Sequence, residues 1–137
     1  MTLNDLIEEA IKARRNSYAP YSSYNVGAAL LCSDGTVFCG TNIENASYGA
    51  TICAERSAVF AAVSAGRRDL TAIAIVGGPS DDRQSDYAFP CGMCRQVLRE
   101  FADPSVFKVI VARSVDDYKE YTLEELLPNS FGPDNLI

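Results

Sequence analysis

The sequence lacks histidine and tryptophan entirely among its 137 residues. Without histidine there is no imidazole to serve as a general base, a triad member or a metal ligand, so the side chains that bind a zinc ion would have to be cysteines or carboxylates. The sequence also lacks an apolar run near the roughly 20 residues of a membrane span, and it has no basic and apolar leader at its start. We therefore expect a chain without membrane contact.

Positive charge is scarce as well, with 12 Lys and Arg against 18 Asp and Glu and a net charge of −6. Because nucleic-acid affinity rests largely on Lys and Arg neutralising phosphates, we expect a small ligand of low charge instead. The length and the 47% of hydrophobic residues predict a single domain over residues 1–137. Five cysteines without an export signal favour the cytoplasm, and metal-binding or packing roles over disulfides.

Hydrophobic periodicity and turn signals predict alternating helices and strands. The predicted elements are a helix from Leu3 to about Tyr18, a hairpin of 26–32 and 36–40 around Asp34-Gly35, a helix over 52–65, a strand over 71–76, a polar loop over 77–89, a helix over 91–102, a strand over 106–112, and a short helix opened by Thr122 and Glu125. Strand–helix–strand units imply right-handed parallel crossovers. The fold class is therefore α/β, a three-layer α/β/α sandwich with a mixed, mostly parallel sheet.

Two short motifs carry the chemistry, Cys53-Ala54-Glu55 and Pro90-Cys91-Gly92-Met93-Cys94. They supply three thiol ligands, and a tetrahedral zinc with three protein ligands keeps one position open, as catalytic sites do. Both motifs begin predicted helices, whose N-termini favour thiolates. Glu55 lies two positions after a ligand, and we expect it to act as a proton shuttle that does not bind the metal.

Three thiolates give a zinc site a net charge of −1, which would reduce the acidity of a bound water. An arginine that donates to a thiolate sulfur would offset this charge. Arg56, beside Glu55, is the first candidate for that role, and Arg95, beside Cys94, is the second.

Together these motifs resemble the zinc-dependent cytidine deaminases of the small, homotetrameric type. Similar runs extend the resemblance over nearly the whole chain: Tyr18–Ser22, Val26–Leu30, Asn42–Ala46 and Glu125–Pro128. It implies a five-stranded sheet, one Zn²⁺ per chain, and hydrolysis of cytidine and deoxycytidine to uridine and deoxyuridine in pyrimidine salvage. Zinc-bound hydroxide would attack C4, with Glu55 as the proton shuttle.

The same resemblance implies roles for the rest of the pocket. Asn42 and Glu44 would bind the ribose hydroxyls, and Tyr24 and Ala54 would contact the base. Tyr48 and Phe131 would complete a neighbouring subunit's pocket in a homotetramer. Phe89 and Met93 give the pocket an atypical rim.

Alternatives remain at this stage. An aminonucleoside deaminase of the blasticidin S type would share the zinc core, and a structural zinc or redox module would use the cysteines without catalysis. If Asp34-Gly35 is a two-residue turn, Cys32 faces Val37 and Leu30 faces Cys39, so both cysteines are expected to be small buried hydrophobes.

Overall fold

The computed structural model of the protein describes residues 1–81 and 85–137. Its helices and strands are α1 (Leu3–Arg14), β1 (Tyr24–Cys32), β2 (Val37–Thr41), α2 (Ala54–Ser64), β3 (Leu70–Pro79), α3 (Gly92–Phe101), β4 (Lys108–Ser114), β5 (Asp117–Thr122) and α4 (Leu123–Leu126), with 3₁₀ turns at Tyr48–Ala50 and Pro133–Asn135. Within the described ranges, no helix has the length and apolar character needed to cross a membrane.

The helix starts agree with the sequence better than the helix ends. Both predicted capping boxes are present, Thr2 with Asp5 and Thr122 with Glu125. The first helix ends at Arg14 instead of Tyr18, because Tyr18 pairs with Ile43 in an isolated bridge. The predicted loop over 77–89 begins later, since β3 continues to Pro79, and residues 82–84 of that loop lie outside the described residues.

The five strands form one mixed sheet in the order β2-β1-β3-β4-β5. The prediction that it is mostly parallel is wrong, because only the β3–β4 pair is parallel. The crossover through α2 joins β2 and β3, which run in the same direction but have β1 between them. The fifth strand, β5, escaped the sequence pattern because its residues, Asp-Tyr-Lys-Glu-Tyr-Thr, are mostly polar and lie at a sheet edge.

Helices cover both faces of the sheet, which confirms the three-layer sandwich. Alternate strand residues point to opposite faces, and each face has its own apolar core. On one face, α1 packs through Leu6, Ile7 and Ala10 onto Ala29, Ala74 and Ile110. On the other face, residues of α2 and α3 pack onto Leu30, Ile73, Ile75, Val109 and Val111.

The β1–β2 hairpin has a different register from the predicted one. The turn contains three residues, 33–35, because Cys32 N–H donates to Thr36 O and Gly35 adopts a φ of +91°, as in three-residue hairpins. Consequently Ala29, not Leu30, pairs with Cys39. Cys32 is buried as expected, whereas the expectation for Cys39 is wrong, since its side chain is exposed.

Gly40 fixes the position of α2 against the hairpin. A Cβ at residue 40 would lie 2.5 Å from Ala54 O and 2.4 Å from Ala58 N, closer than carbon contacts allow. The missing side chain therefore lets the first turn of α2, which follows Cys53, rest directly on β2.

Candidate active site

Three cysteine sulfurs meet where the starts of α2 and α3 face each other. Cys53 and Cys91 are the N-cap residues of these helices, and Cys94 lies in the first turn of α3. The Sγ atoms of Cys53 and Cys91 are 3.7 Å apart, those of Cys91 and Cys94 are 3.5 Å apart, and all three lie within 4.8 Å of one another. The predicted ligands therefore form one cluster.

The cluster fits a tetrahedral zinc ion. With Zn–S bonds of about 2.3 Å, tetrahedral geometry places sulfurs about 3.8 Å apart, close to the separations observed. In the described parts of the chain no other group of three Cys, Asp or Glu side chains converges in this way. A fourth position thus remains for water or substrate, as at a catalytic zinc.

Hydrogen bonds shift the pKa values of two thiols in the cluster. A hydrogen bond from Cys94, together with one from Arg56, lowers the pKa of Cys53 to about 5. The hydrogen bond to Cys53, together with burial, raises the pKa of Cys94. Cys94 therefore keeps its proton when no metal is bound. A metal ion replaces that proton, because thiolates are the binding form.

Arg56 lies against the cluster, as the sequence predicts. Its Nη2 donates to Cys53 Sγ at 3.2 Å. Its buried Nε has no hydrogen-bond acceptor among the described residues. A guanidinium beside a thiolate compensates part of the negative charge that three thiolates would bring.

Arg95 has a different environment. Its Nε donates to Pro90 O at 2.8 Å and its Nη1 to Leu126 O at 2.6 Å. These bonds tie α3 to the residue before Cys91 and to the last residue of α4, so Arg95 supports the helix that carries two of the cysteines.

Glu55 is buried next to the cluster, with only 5% of its surface exposed. Loss of solvation raises the pKa of its carboxyl to about 7. A carboxyl that titrates near neutral pH can both accept and return a proton, which is the property that a shuttle requires.

The burial of Glu55 predicts a pH-dependent stability of the metal-free protein. Because the folded-state pKa of about 7 exceeds the ordinary value, the folded state prefers the protonated carboxyl. The free energy of unfolding should therefore fall as pH rises from about 4.5 to 7, by on the order of 3 kcal/mol. Glu55→Gln removes this loss, so we expect the metal-free variant to exceed wild type in stability at pH 8 and to match it near pH 4.

Urea unfolding of wild type and Glu55→Gln, both with a chelator, measures the difference in their free energies of unfolding at each pH. Glu8→Gln, at an exposed position of α1, is the control. A stability difference that stays the same at both pH values would contradict the buried, proton-binding state of Glu55.

A pocket of about 340 Å³ opens over Glu55 and the cysteines Cys53 and Cys91. The predicted residues Tyr24, Asn42 and Ala54 line it. Phe89 lines it as well, whereas Met93 is not among the lining residues and is largely exposed. Sequence reasoning missed further lining residues, which carry no motif: Val26, Thr51, Ile52, Ile75, Tyr87 and Ala88.

Asn42 joins the strands beside the pocket. Its Nδ2 donates to Tyr24 O at 2.7 Å, and its Oδ1 accepts from Val26 N at 2.9 Å and from Ser17 Oγ. An amide group has two N–H donors, and the described contacts use one of them. Asn42 therefore fixes the pocket wall and keeps one donor that a ligand can accept.

Glu44 is held by the turn before β1. Its Oε1 accepts from the backbone N–H groups of Tyr21 and Ser22 at 2.9 and 3.1 Å, and its Oε2 accepts from Ser22 Oγ. The hydroxyl bond and the two N–H bonds lower the pKa of this exposed carboxyl. Glu44 lines a neighbouring pocket that shares Thr51 with the first one.

Tyr48 and Phe131 are not among the residues that line the pocket over Glu55, although Tyr48 lines the neighbouring pocket together with Glu44. Their exposed fractions are 78% and 59%. The Tyr48 ring packs edge-on against Tyr21 at 6.1 Å, and Phe131 is fixed through its carbonyl oxygen, which accepts from Gln96 at 2.8 Å.

Comparison with known proteins decides the family. Residues 1–111 match the model of the cytidine and deoxycytidylate deaminase zinc-binding region. The chain belongs to this deaminase family.

Curated members of the family align with almost the whole chain. A cytidine deaminase of Halalkalibacterium halodurans is 50% identical over 96% of this chain and 95% of its own. One from Mycobacterium tuberculosis is 41% identical over 97% and 92%. The crystal structure of a Burkholderia pseudomallei cytidine deaminase, 45% identical, superimposes with a TM-score of 0.86 over 96% of this chain and all of the other.

Proposed function

We propose that the protein is a zinc-dependent cytidine deaminase, a single domain over residues 1–137 that converts cytidine and deoxycytidine to uridine and deoxyuridine in pyrimidine salvage. The observation that carries this proposal is the buried Glu55 beside three converging thiols at the base of a pocket. A redox or structural zinc module has no use for a buried carboxyl with a pKa of about 7 that lines the pocket beside the cluster.

In the reaction, Cys53, Cys91 and Cys94 would hold the zinc ion, which supplies the Lewis acidity that makes water nucleophilic at neutral pH. Glu55 would take the proton that the attacking water loses and deliver it to N3 of the pyrimidine. It would then carry the proton of the hydroxyl added at C4 to the amino group, which leaves as ammonia when the C4 carbonyl forms. The raised pKa of Glu55 suits both directions of transfer.

The remaining proposed contacts orient the nucleoside. The free Nδ2–H of Asn42 and the carboxylate of Glu44 would bind the ribose hydroxyls, and Tyr24 and Ala54 would pack against the base. Because Tyr48 and Phe131 are exposed and do not line the pocket over Glu55, we propose that they complete the pocket of a neighbouring subunit in a homotetramer. All five cysteines are free thiols, which supports a cytoplasmic location.

Arg56 should tune the acidity of the site. We propose that its bond to Cys53 withdraws electron density from the thiolate, so Arg56→Gln should move the acidic limb of the kcat/KM profile to higher pH. The variant would then lose more activity at pH 6 than at pH 9. Arg68→Gln is the matched control, because Arg68 donates only to carbonyl oxygens of Val63 and Arg67 among the described residues. An unshifted profile for Arg56→Gln would rule out this role.

A nucleoside panel tests the proposed function. Ammonia release is measured for cytidine, deoxycytidine, deoxycytidylate and blasticidin S, each with and without a chelator. We expect chelator-sensitive release from the two nucleosides. Release from blasticidin S alone would point to an aminonucleoside deaminase, and bound zinc without any release would point to a structural module.

A further inference from the structure

One wall of the pocket is a short segment, residues 86–89, that lies on the end of β3. Asp86 N–H donates to Gly77 O at 2.8 Å. Ala88 sits directly over Gly77, since a Cβ at residue 77 would lie 2.9 Å from the Cβ of Ala88. The backbone of this wall segment is thus fixed on the sheet, immediately before Pro90 and Cys91.

One face of β5 supports the side chains of the wall segment from behind. Asp117 accepts a hydrogen bond from the Tyr87 hydroxyl, Lys119 Nζ lies 4.3 Å from the centre of the Tyr87 ring, and the rings of Phe89 and Tyr121 are 5.6 Å apart. These three β5 residues alternate along the strand and so share one face. The side chains of the wall segment are therefore held by β5, although the sequence predicts only a polar loop here.

The position of this wall relative to a pyrimidine follows from ring connectivity and rests on the proposed function. C4 of the ring is flanked by N3 on one side and C5 on the other. With C4 at the thiol cluster and N3 at Glu55, which belongs to α2, the C5 edge turns away from α2. On the Cys91 side of the cluster, the lining residue next to Pro90 is Phe89.

We propose that Phe89, supported by Tyr121, closes the pocket beyond C5 and determines which 5-substituted cytidines the enzyme accepts. The Phe89 ring contacts Tyr121, and Phe89 also lines the cavity. The preferred substrates would carry hydrogen or another small substituent at C5, and a 5-methyl group would meet the ring. One methyl group in an apolar pocket typically changes kcat/KM by about 10- to 200-fold.

The test compares 5-methylcytidine with cytidine in the zinc-loaded enzyme. For each protein, kcat/KM for 5-methylcytidine is divided by kcat/KM for cytidine. The electronic effect of the methyl group on the reaction is the same in every variant, so it cancels when these ratios are compared. We expect Phe89→Ala to raise the ratio by about tenfold or more. Tyr121→Ala, which only removes the support, should raise it by a smaller factor.

Tyr118→Ala is the matched control, because Tyr118 lies on the same strand, three residues from Tyr121 and on the opposite face, and its ratio should equal that of wild type. Competitive inhibition by uridine and 5-methyluridine gives a second readout if 5-methylcytidine turnover is too slow to follow. Phe89→Ala should then lower the Ki of 5-methyluridine relative to the Ki of uridine by a similar factor.

Two failures can be told apart. If wild type does not deaminate cytidine, the proposed function is wrong, and this inference with it. If wild type deaminates cytidine but the ratio for Phe89→Ala stays within twofold of wild type, the function stands and Phe89 does not select at C5. Equal losses for both nucleosides would likewise overturn the inference, since they would mean uniform contact with the base.

Discussion

Glu55→Gln is expected to lower kcat for cytidine by about 10²–10⁴-fold, the usual contribution of a positioned proton-transfer group, while the protein keeps one zinc per chain. Glutamine has nearly the shape of glutamate, so the burial at this site is preserved. It cannot accept and return a proton, so the water, N3 and the leaving amino group lose their common proton carrier. The change separates proton transfer from metal binding, because the proposed ligands are all cysteines.

Steady-state kinetics and zinc analysis on the same sample measure both quantities. Glu124→Gln, at an exposed position in the first turn of α4, is the control and should retain wild-type kinetics. Loss of zinc from Glu55→Gln would show that the carboxylate binds or organises the metal. Near-normal turnover would remove Glu55 from the chemistry.

Cys94→Ser is expected to abolish both zinc retention and turnover. Cys94 is 1% exposed, and its Sγ lies 3.5 Å from the Sγ of Cys91. Its replacement leaves two thiols in the cluster. A serine hydroxyl is a poor substitute for a thiolate, because zinc prefers the softer and more easily deprotonated sulfur ligand. Cys39→Ser is the control, since Cys39 is exposed and lies outside the cluster.

Zinc analysis after dialysis should give no more than a trace for Cys94→Ser and one equivalent for Cys39→Ser. A fully zinc-loaded and active Cys94→Ser protein would mean that Cys94 is not a ligand. Loss of zinc from Cys39→Ser as well would mean that the thiols contribute to stability more generally.

The sequence predicts the parts of the fold and of the site that depend on local rules. Capping boxes at Thr2 and Thr122 mark helix starts, because the hydrogen bonds involved join residues three apart. The cysteine spacing places Cys53 and Cys91 at N-cap positions, and the tertiary fold then brings these two helix starts together. The meeting of Arg56 with Cys53 was predictable because the two residues are one turn apart on one helix.

The features that were not predicted depend on the backbone geometry of a turn or on packing between distant segments. The register of the hairpin depends on Gly35 adopting a positive φ, which adds one residue to the turn and moves Cys39 to the other face of the sheet. Strand β5 has no apolar run, since it pairs only with β4 at the sheet edge. The sequence predicts Tyr87 only as a loop residue, because the β5 residues that contact it lie 30 or more positions away in sequence.

For Asn42, the resemblance to cytidine deaminases implies a contact with the ligand, whereas its bonds to the strands appear only in the structure. The structure gives its amide three bonds to the protein and leaves one donor, so a single side chain can serve both roles. A Asn42→Asp change would therefore disturb the strands and the pocket together, and it is a poor probe of either.

Stepwise addition of zinc to the metal-free protein, with ammonia release from cytidine measured at each step, shows whether three thiols and a buried glutamate form a zinc-dependent deaminase site. We predict that activity rises in proportion to zinc and reaches its plateau at one equivalent per chain. Full activity without zinc, or zinc saturation at one equivalent with no ammonia released, would show that they do not.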